Sequence, residues 1–198
     1  MTRPVLFAFA MLAALLAAGP AAAHSAEGVA GGFASGLAHP VLGPDHLIAM
    51  IAVGLWGAQL GMPMIVVLPV AFPLMMAVGG VAGAAGLPLP GVEIGIAGSA
   101  LVLGLVVAAA WRAPVWGAAA IVAIFALFHG HAHGTELPAA ADPLAYGIGF
   151  VIMTGLLHLA GIGIGMLQGW QDLGPKVVRG VGALIAAGGA FFLVGSLA

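Results

Sequence analysis

The chain has 198 residues, of which 63% are hydrophobic and only 5% are charged, with four Lys and Arg against six Asp and Glu. Soluble domains carry about 25% charged residues, so this composition cannot furnish a water-facing surface and excludes a soluble enzyme. A formal net charge of −2 without any cluster of Lys or Arg excludes nucleic acid as a partner. Because the chain has no Cys, any metal ion must be bound through nitrogen and oxygen rather than thiolate.

The N-terminal segment, residues 1–23, has the features of a secretory signal peptide. Arg3 precedes an apolar stretch, and Ala21 to Ala23 supply a cleavage site of small residues. We expect cleavage before His24, and an uncleaved signal anchor is the alternative. On either interpretation the following chain starts outside the cytoplasm. No linker divides residues 24–198, so we expect them to form a single transmembrane domain.

Stretches apolar enough for transmembrane helices alternate with short breaks at Gly, Pro or charged residues. A transmembrane helix needs about 20 predominantly apolar residues. The sequence predicts an all-α, polytopic membrane protein with six such helices, at Pro44 to Leu60, Met64 to Ala85, Val92 to Trp111, Val115 to Phe128, Leu144 to Leu167 and Val177 to Leu197. We expect a kink in the second of these helices, where Pro69 and Pro73 remove backbone donors.

The charged residues predict the orientation of these helices. If the mature chain starts in the periplasm, Arg112, Lys176 and Arg179 all fall at cytoplasmic ends, as the positive-inside bias requires. We therefore expect a multi-pass protein of the inner membrane, in contact with the lipid bilayer and with both mature ends in the periplasm. The sequence does not define the oligomeric state, and a homo-oligomer is compatible with it.

Residues 27–43 are nearly uncharged but too short and too rich in glycine for a full span. We predict a half-helix or re-entrant segment there, leading through His39 and Gly43 into the first full helix. Broken helices at membrane depth occur where the freed backbone groups are buried in protein or line a wet cavity. The break therefore indicates a functional site.

The first cluster of polar side chains lies at this break. Asp45 and His46 should occupy the first turn of the helix, where the dipole favours a carboxylate. Gly43 allows the chain to turn back so that His39 approaches them, and Met50 lies one turn after His46 on the same face. Asp45 could serve only as an N-cap, but a cap does not account for the two histidines.

The second cluster follows the fourth span and comprises His129, Gly130, His131, His133, Gly134 and Glu136. The glycines favour irregular backbone, and in an extended chain the three histidines would project to one side. A solvated loop rich in histidine is the alternative.

Three isolated residues are further candidates. His158 lies midway along the fifth span, one turn after Thr154. Ionisable groups at membrane depth are costly and indicate function, although a packed histidine bonded to a backbone carbonyl is the alternative. Glu93 enters the third span, and His24 would carry the new amino terminus.

Imidazole and carboxylate ligands without thiolate favour a borderline divalent transition metal. Ni2+ and Co2+ match this ligand type better than copper, whereas Zn2+ is not distinguished from them. We expect no catalytic residues and no permanent cofactor. The predicted ligands are His39, Asp45, His46, His129, His133, Glu136 and His158, with His131, Met50, Glu93 and His24 as additional candidates.

Two motifs in the chain resemble those of the HupE/UreJ family of hydrogenase/urease accessory membrane proteins. The first, His-Pro-x-x-Gly-x-Asp-His, is matched from His39 to His46 and is followed by Met50. The second, Phe-His-Gly-x-Ala-His-Gly-x-Glu, is matched from Phe128 to Glu136, with His131 at a variable position. The resemblance covers nearly the whole sequence and implies a nickel or cobalt transporter.

We therefore expect a secondary transporter that imports Ni2+ or Co2+ for metalloenzyme maturation. The sequence has no nucleotide-binding Gly-Lys-Ser/Thr loop that would supply energy from ATP. A membrane-bound periplasmic metal receptor or chaperone is one alternative. An intramembrane metal-dependent hydrolase is another, but the chain lacks the His-Glu-x-x-His helix motif of such enzymes.

Overall fold

The structure, a computed structural model, describes residues 28–137 and 142–198, and these ranges contain helices and no strands. This confirms the all-α prediction for the described residues, whereas the predicted signal peptide lies outside them. A 3₁₀ helix, Met166–Gly169, follows the sixth of the α-helices. The α-helices are α1 (Gly28–Leu42), α2 (Pro44–Leu60), α3 (Met64–Ala84), α4 (Val92–Ala108), α5 (Val115–Thr135), α6 (Pro143–Gly165) and α7 (Leu173–Leu197).

Within the described residues, four helices are long and apolar enough to cross a membrane, namely α3, α5, α6 with the 3₁₀ helix, and α7. Helices α1 and α2 meet the same criterion only as a pair, and α4 is a shorter apolar helix of 17 residues. Large apolar side chains such as Val70, Leu74 and Val78 are exposed along α3, as expected for a surface that faces lipid. The chain is a multi-pass membrane protein, and the number of six spans stays a prediction.

The predicted half-helix is present as α1, which meets α2 at a bend of 81°. The bend lies at Gly43, whose φ of −91° is accessible to any residue, so conformational freedom does not explain the glycine. A Cβ at Gly43 would lie 3.1 Å from Nδ1 of His46 and 3.3 Å from Oδ1 of Asp45. The missing side chain therefore leaves room for the Asp45–His46 pair at the start of α2.

Helix α2 is the centre of the bundle and packs against α1, α3, α4, α6 and α7. Ten of its 17 residues are buried. Met50, Val53, Leu55 and Trp56 are completely inaccessible and form the middle of the hydrophobic core. A helix that is apolar on all sides is expected at such a position. The polar start of α2 is thereby placed inside the protein.

The second histidine cluster differs from its prediction, because α5 continues through it as a helix to Thr135. The glycines expected to make this segment irregular instead pack against α3. A Cβ at Gly130 would collide with the carbonyl oxygen of Met76, and one at Gly134 with that of Gly80. Close helix packing therefore accounts for the glycines, and the expectation of an extended segment is wrong.

Helix α3 contributes complementary glycines to the same contact. A Cβ at Gly79 would collide with the carbonyl oxygen of Leu127, and one at Gly83 with that of His131. Small residues spaced four apart on both helices allow the two backbones to approach closely, a common arrangement within membranes. The contact fixes the rotation of α5 about its axis and thus selects the side chains that face the interior.

Among the residues that the structure describes, the cationic side chains lie at the end of the bundle opposite to the start of α2. Arg112 and Arg179 line one polar cavity together with Gln59 and Gln168. The Nε of Arg179 also donates a hydrogen bond of 2.7 Å to the carbonyl of Ala108. This segregation is compatible with the predicted orientation, and the side of the membrane that each end faces stays a prediction.

Replacing Gly79 by Ala should destabilise the protein, whereas Gly80→Ala should not. The new Cβ at position 79 would overlap the α5 backbone, but at position 80 it would lie 3.5 Å from the carbonyl oxygen of Gly130, an ordinary contact. Overpacking costs about 1–3 kcal/mol, while Ala favours a helix over Gly by about 1 kcal/mol. Thermal unfolding of the detergent-purified variants, followed by circular dichroism, measures the difference. Equal melting temperatures would contradict the close packing of α3 and α5.

Candidate metal centre

Three parts of the fold bring six of the predicted ligands together: the end of α1, the start of α2 and the last two turns of α5 with the residue that follows them. The histidines among them form a continuous series, in which neighbouring ring centroids are 4.7 Å apart. These six residues are His39, Asp45, His46, His129, His133 and Glu136.

His46, His129 and His133 form a buried set of ligands, which we call the inner group. One ring nitrogen of each lies within 4.8 Å of the others. The three residues are 8%, 0% and 6% exposed, respectively, so bulk water does not reach them freely. Three imidazoles that converge in this way can bind one metal ion.

His39, His133 and Glu136 form a second set nearer the surface, which we call the outer group. Their ligand atoms also lie within 4.8 Å of one another. Nε2 of His39 is 3.5 Å from Oε2 of Glu136, whose side chain is 52% exposed. Because His133 belongs to both groups, the two are adjacent subsites that share a ligand.

Asp45 orients His46 for ligation. Its Oδ1 accepts hydrogen bonds of 2.8 Å from the backbone N–H of His46 and from Nδ1 of the same residue. A carboxylate that accepts from Nδ1 assigns the proton to that nitrogen and leaves Nε2 with a free lone pair. Nε2 of His46 is buried and has no partner. Asp45 thus lies behind a ligand rather than within either group, and α2 has no side-chain cap.

Ser99 of α4 has the corresponding role for His129. Its hydroxyl donates a hydrogen bond of 2.6 Å to the carbonyl of Ile96, and its oxygen lies 2.9 Å from Nε2 of His129. Since the single hydroxyl proton is already used, Nε2 must be the donor and Nδ1 keeps the free lone pair. The sequence analysis missed Ser99. Its signal is that it is the only hydroxyl in the apolar helix α4.

Aromatic side chains close the inner group off from its surroundings. Phe150 of α6 lies 4.1 Å from the ring centroid of His133, and Phe72 of α3 lies 5.4 Å from that of His129. Both phenylalanines are at most 3% exposed. Neither was predicted, because a phenylalanine in an apolar helix is no signal of a site by itself.

The helical conformation of α5 separates its histidines. Residues four apart share a helix face, so His129 and His133 point into the centre while His131 points away. Nε2 of His131 bonds the carbonyl of Leu87 at 2.7 Å and thereby ties α5 to the connection after α3. The expectation that all three imidazoles project together is wrong.

The remaining candidates lie apart from the two groups. Glu93 is exposed on α4, and Met50 is completely buried one turn after His46. His158 belongs to neither group, and its ring contacts that of Phe72, with the ring centroids 5.4 Å apart. His24 lies outside the described residues, so its role stays a prediction.

The unpaired atoms of the inner group define its chemistry. Nε2 of His46, Nδ1 of His129 and both ring nitrogens of His133 are buried without any hydrogen-bond partner. Buried polar atoms are almost always paired, so a convergence of unpaired ones needs a cause. Neutral imidazole nitrogens are ligands for borderline transition metals such as Ni2+, Co2+ and Zn2+.

The chain is similar to known proteins over most of its length. The sequence model of the family described as "HupE / UreJ protein" matches residues 12–192. Protein HupE of Rhizobium leguminosarum bv. viciae is 45% identical over 159 residues, which are 80% of this chain and 83% of that protein. No solved structure matches the chain. Both ligand groups lie within the region that the family covers.

Replacing Ser99 by Ala should weaken metal binding without unfolding the protein, because His129 loses the partner that selects its tautomer. Loss of such a supporting hydrogen bond costs about 10–100-fold in metal affinity. Equilibrium dialysis of the detergent-purified protein with radioactive Ni2+ measures the effect. Ser196→Ala is the matched control, since the hydroxyl of Ser196 makes the same type of bond to a carbonyl three residues earlier but is exposed. Equal affinities in both variants would refute the role of Ser99.

Proposed function

Because the chain belongs to the HupE/UreJ family of hydrogenase and urease accessory proteins, we propose that it imports Ni2+ or Co2+ across the inner membrane as a secondary transporter. The observation that carries the proposal is the pair of ligand groups that share His133. One group is partly exposed and the other is buried. An ion can therefore move from the outer group to the inner group by exchanging ligands one at a time, while His133 keeps it bound throughout.

The ligand types favour a borderline divalent transition metal over Mg2+, Ca2+ and Cu(I). All-oxygen sites suit Mg2+ and Ca2+, and thioether or thiolate sites suit Cu(I), whereas imidazole suits Ni2+ and Co2+. The outer group adds the carboxylate of Glu136, and Asp45 adds a second negative charge behind His46. These charges offset part of the cost of moving a dication out of water.

The geometry also suits release of the ion. Each group offers three ligand atoms, so the coordination shell of a six-coordinate ion is incomplete and water or the next ligand can enter. Binding that is strong enough for capture but incomplete enough for exchange is what conduction requires. A complete, rigid cage would instead retain the ion.

The membrane potential supplies enough energy for import. A potential of 100 mV favours inward movement by about 2.3 kcal/mol per charge, which is about 4.6 kcal/mol for a divalent ion. An inward-negative potential thus accumulates the ion without ATP, in agreement with the absence of a nucleotide-binding loop from the sequence.

Replacing His133 by Gln should abolish uptake, whereas His131→Gln should leave it nearly unchanged. Position 133 lies in both ligand groups, while position 131 bonds the Leu87 carbonyl, to which a glutamine amide can also donate. We expect a loss of at least about tenfold in the first variant. The measurement is potential-driven uptake of radioactive Ni2+ into proteoliposomes, with Co2+ as competitor.

Two results would contradict the proposal. Equal uptake by the variants would show that the ligand groups are not on the transport path. Metal binding by the unmodified protein without potential-driven uptake would favour a receptor or chaperone instead. The competition arm decides between nickel and cobalt as the preferred cargo.

A further inference from the structure

Thr154 and His158 of α6 form a polar site that belongs to neither ligand group. The two residues are 0% and 1% exposed. They lie one turn apart and therefore share a face of the helix. Oγ1 of Thr154 and both ring nitrogens of His158 have no hydrogen-bond partner. A threonine inside a helix can bond the carbonyl one turn earlier, yet this one leaves its hydroxyl free.

The site and the inner group contact the same aromatic ring, that of Phe72. The ring centroid of Phe72 is 5.4 Å from that of His129 and also 5.4 Å from that of His158. Phe72 is completely buried. Phe72 is therefore the side chain that contacts both the inner group and His158.

Helix α3 adds a free backbone acceptor beside the site. Pro73 has no N–H, so the carbonyl of Pro69 lacks its usual helical hydrogen bond. This carbonyl lies next to the His158 ring, although it is not in hydrogen-bond geometry with either nitrogen. The Pro69 carbonyl is thus a neighbour of His158, and the Thr154 hydroxyl lies one turn before His158 on α6.

Helix α2 leads from the inner group to the same place. Met50 and Gly54 follow His46 at intervals of four residues, and therefore lie along one face of the helix. A Cβ at Gly54 would collide with the carbonyl oxygen of His158, so the backbones of α2 and α6 touch there. The helix face that starts at His46 thus ends against the backbone of His158.

We propose that Thr154 and His158 form a second transit site for the divalent cation, reached from the inner group past Phe72. The proposal rests on the function proposed above. Among the described residues no carboxylate pairs with His158, whereas Asp45 bonds His46 of the inner group, so this site binds a dication more weakly than the inner group does. Weak binding by neutral ligands suits a position that the ion occupies only briefly on its way to the opposite end.

The test uses variants that remove ligand atoms but keep volume. His158→Leu removes both nitrogens, Thr154→Val removes the hydroxyl, and Thr154→Ser is the matched control that retains it. Saturation binding of radioactive Ni2+ to the full-length, detergent-purified protein counts the ions per chain. Uptake into proteoliposomes under an imposed potential measures transport, and helical circular dichroism checks the fold.

We expect His158→Leu to bind one ion fewer than the unmodified protein and to take up Ni2+ about tenfold more slowly. Thr154→Val should be slowed as well, and Thr154→Ser should resemble the unmodified protein. Unchanged stoichiometry in His158→Leu would overturn the proposal, even with slower uptake, because His158 would then move protons or support packing. If the unmodified protein binds the additional ion but does not transport it, the proposed function fails while the second site stands.

Discussion

The close backbone contact between α3 and α5 is the constraint on which the centre depends. Glycines on both helices remove the side chains that would hold them apart. Because α5 cannot rotate without steric overlap, His129 and His133 face the interior, and His131 faces the connection after α3. Within a bilayer, where apolar side chains gain little by leaving lipid, such packing is a main source of helix association. The same contact therefore stabilises the bundle and selects the ligands.

Hydrogen bonds on the side facing away from the centre fix the tautomers of His46 and His129. Asp45 holds the proton of His46 on Nδ1, and Ser99 holds that of His129 on Nε2, so each ring presents one free lone pair to the centre. Burying these ring nitrogens without hydrogen-bond partners destabilises the folded protein as long as no ligand is bound. The arrangement is understandable if a cation satisfies these atoms during function.

Exposure and negative charge both decrease along the series of ligands. Glu136 and His39 are accessible at one end, the inner group is nearly closed, and His158 is buried among neutral groups. Of these three sites, only the outer group, which contains Glu136, and the inner group, which has Asp45 bonded to His46, have a carboxylate. In the proposed import path, this order places the strongest electrostatic attraction at the entrance and the weakest at the last site, as passage rather than storage of an ion requires.

Composition and spacing alone determined the class of this protein, the break before Asp45 and the six clustered residues as candidates for a metal site, because these depend on residue type and on neighbours close in the chain. Only the tertiary structure decided three further points: His131 points away from the ligand groups, Ser99 bonds His129, and one aromatic ring, Phe72, contacts both His129 and His158. The physical reason is that Gly130 and Gly134 have the same local preferences whether they form a loop or a packed helix. Their conformation depends on the backbone of α3, which lies some 50 residues earlier in the sequence and can be recognised as a partner only once the chain has folded.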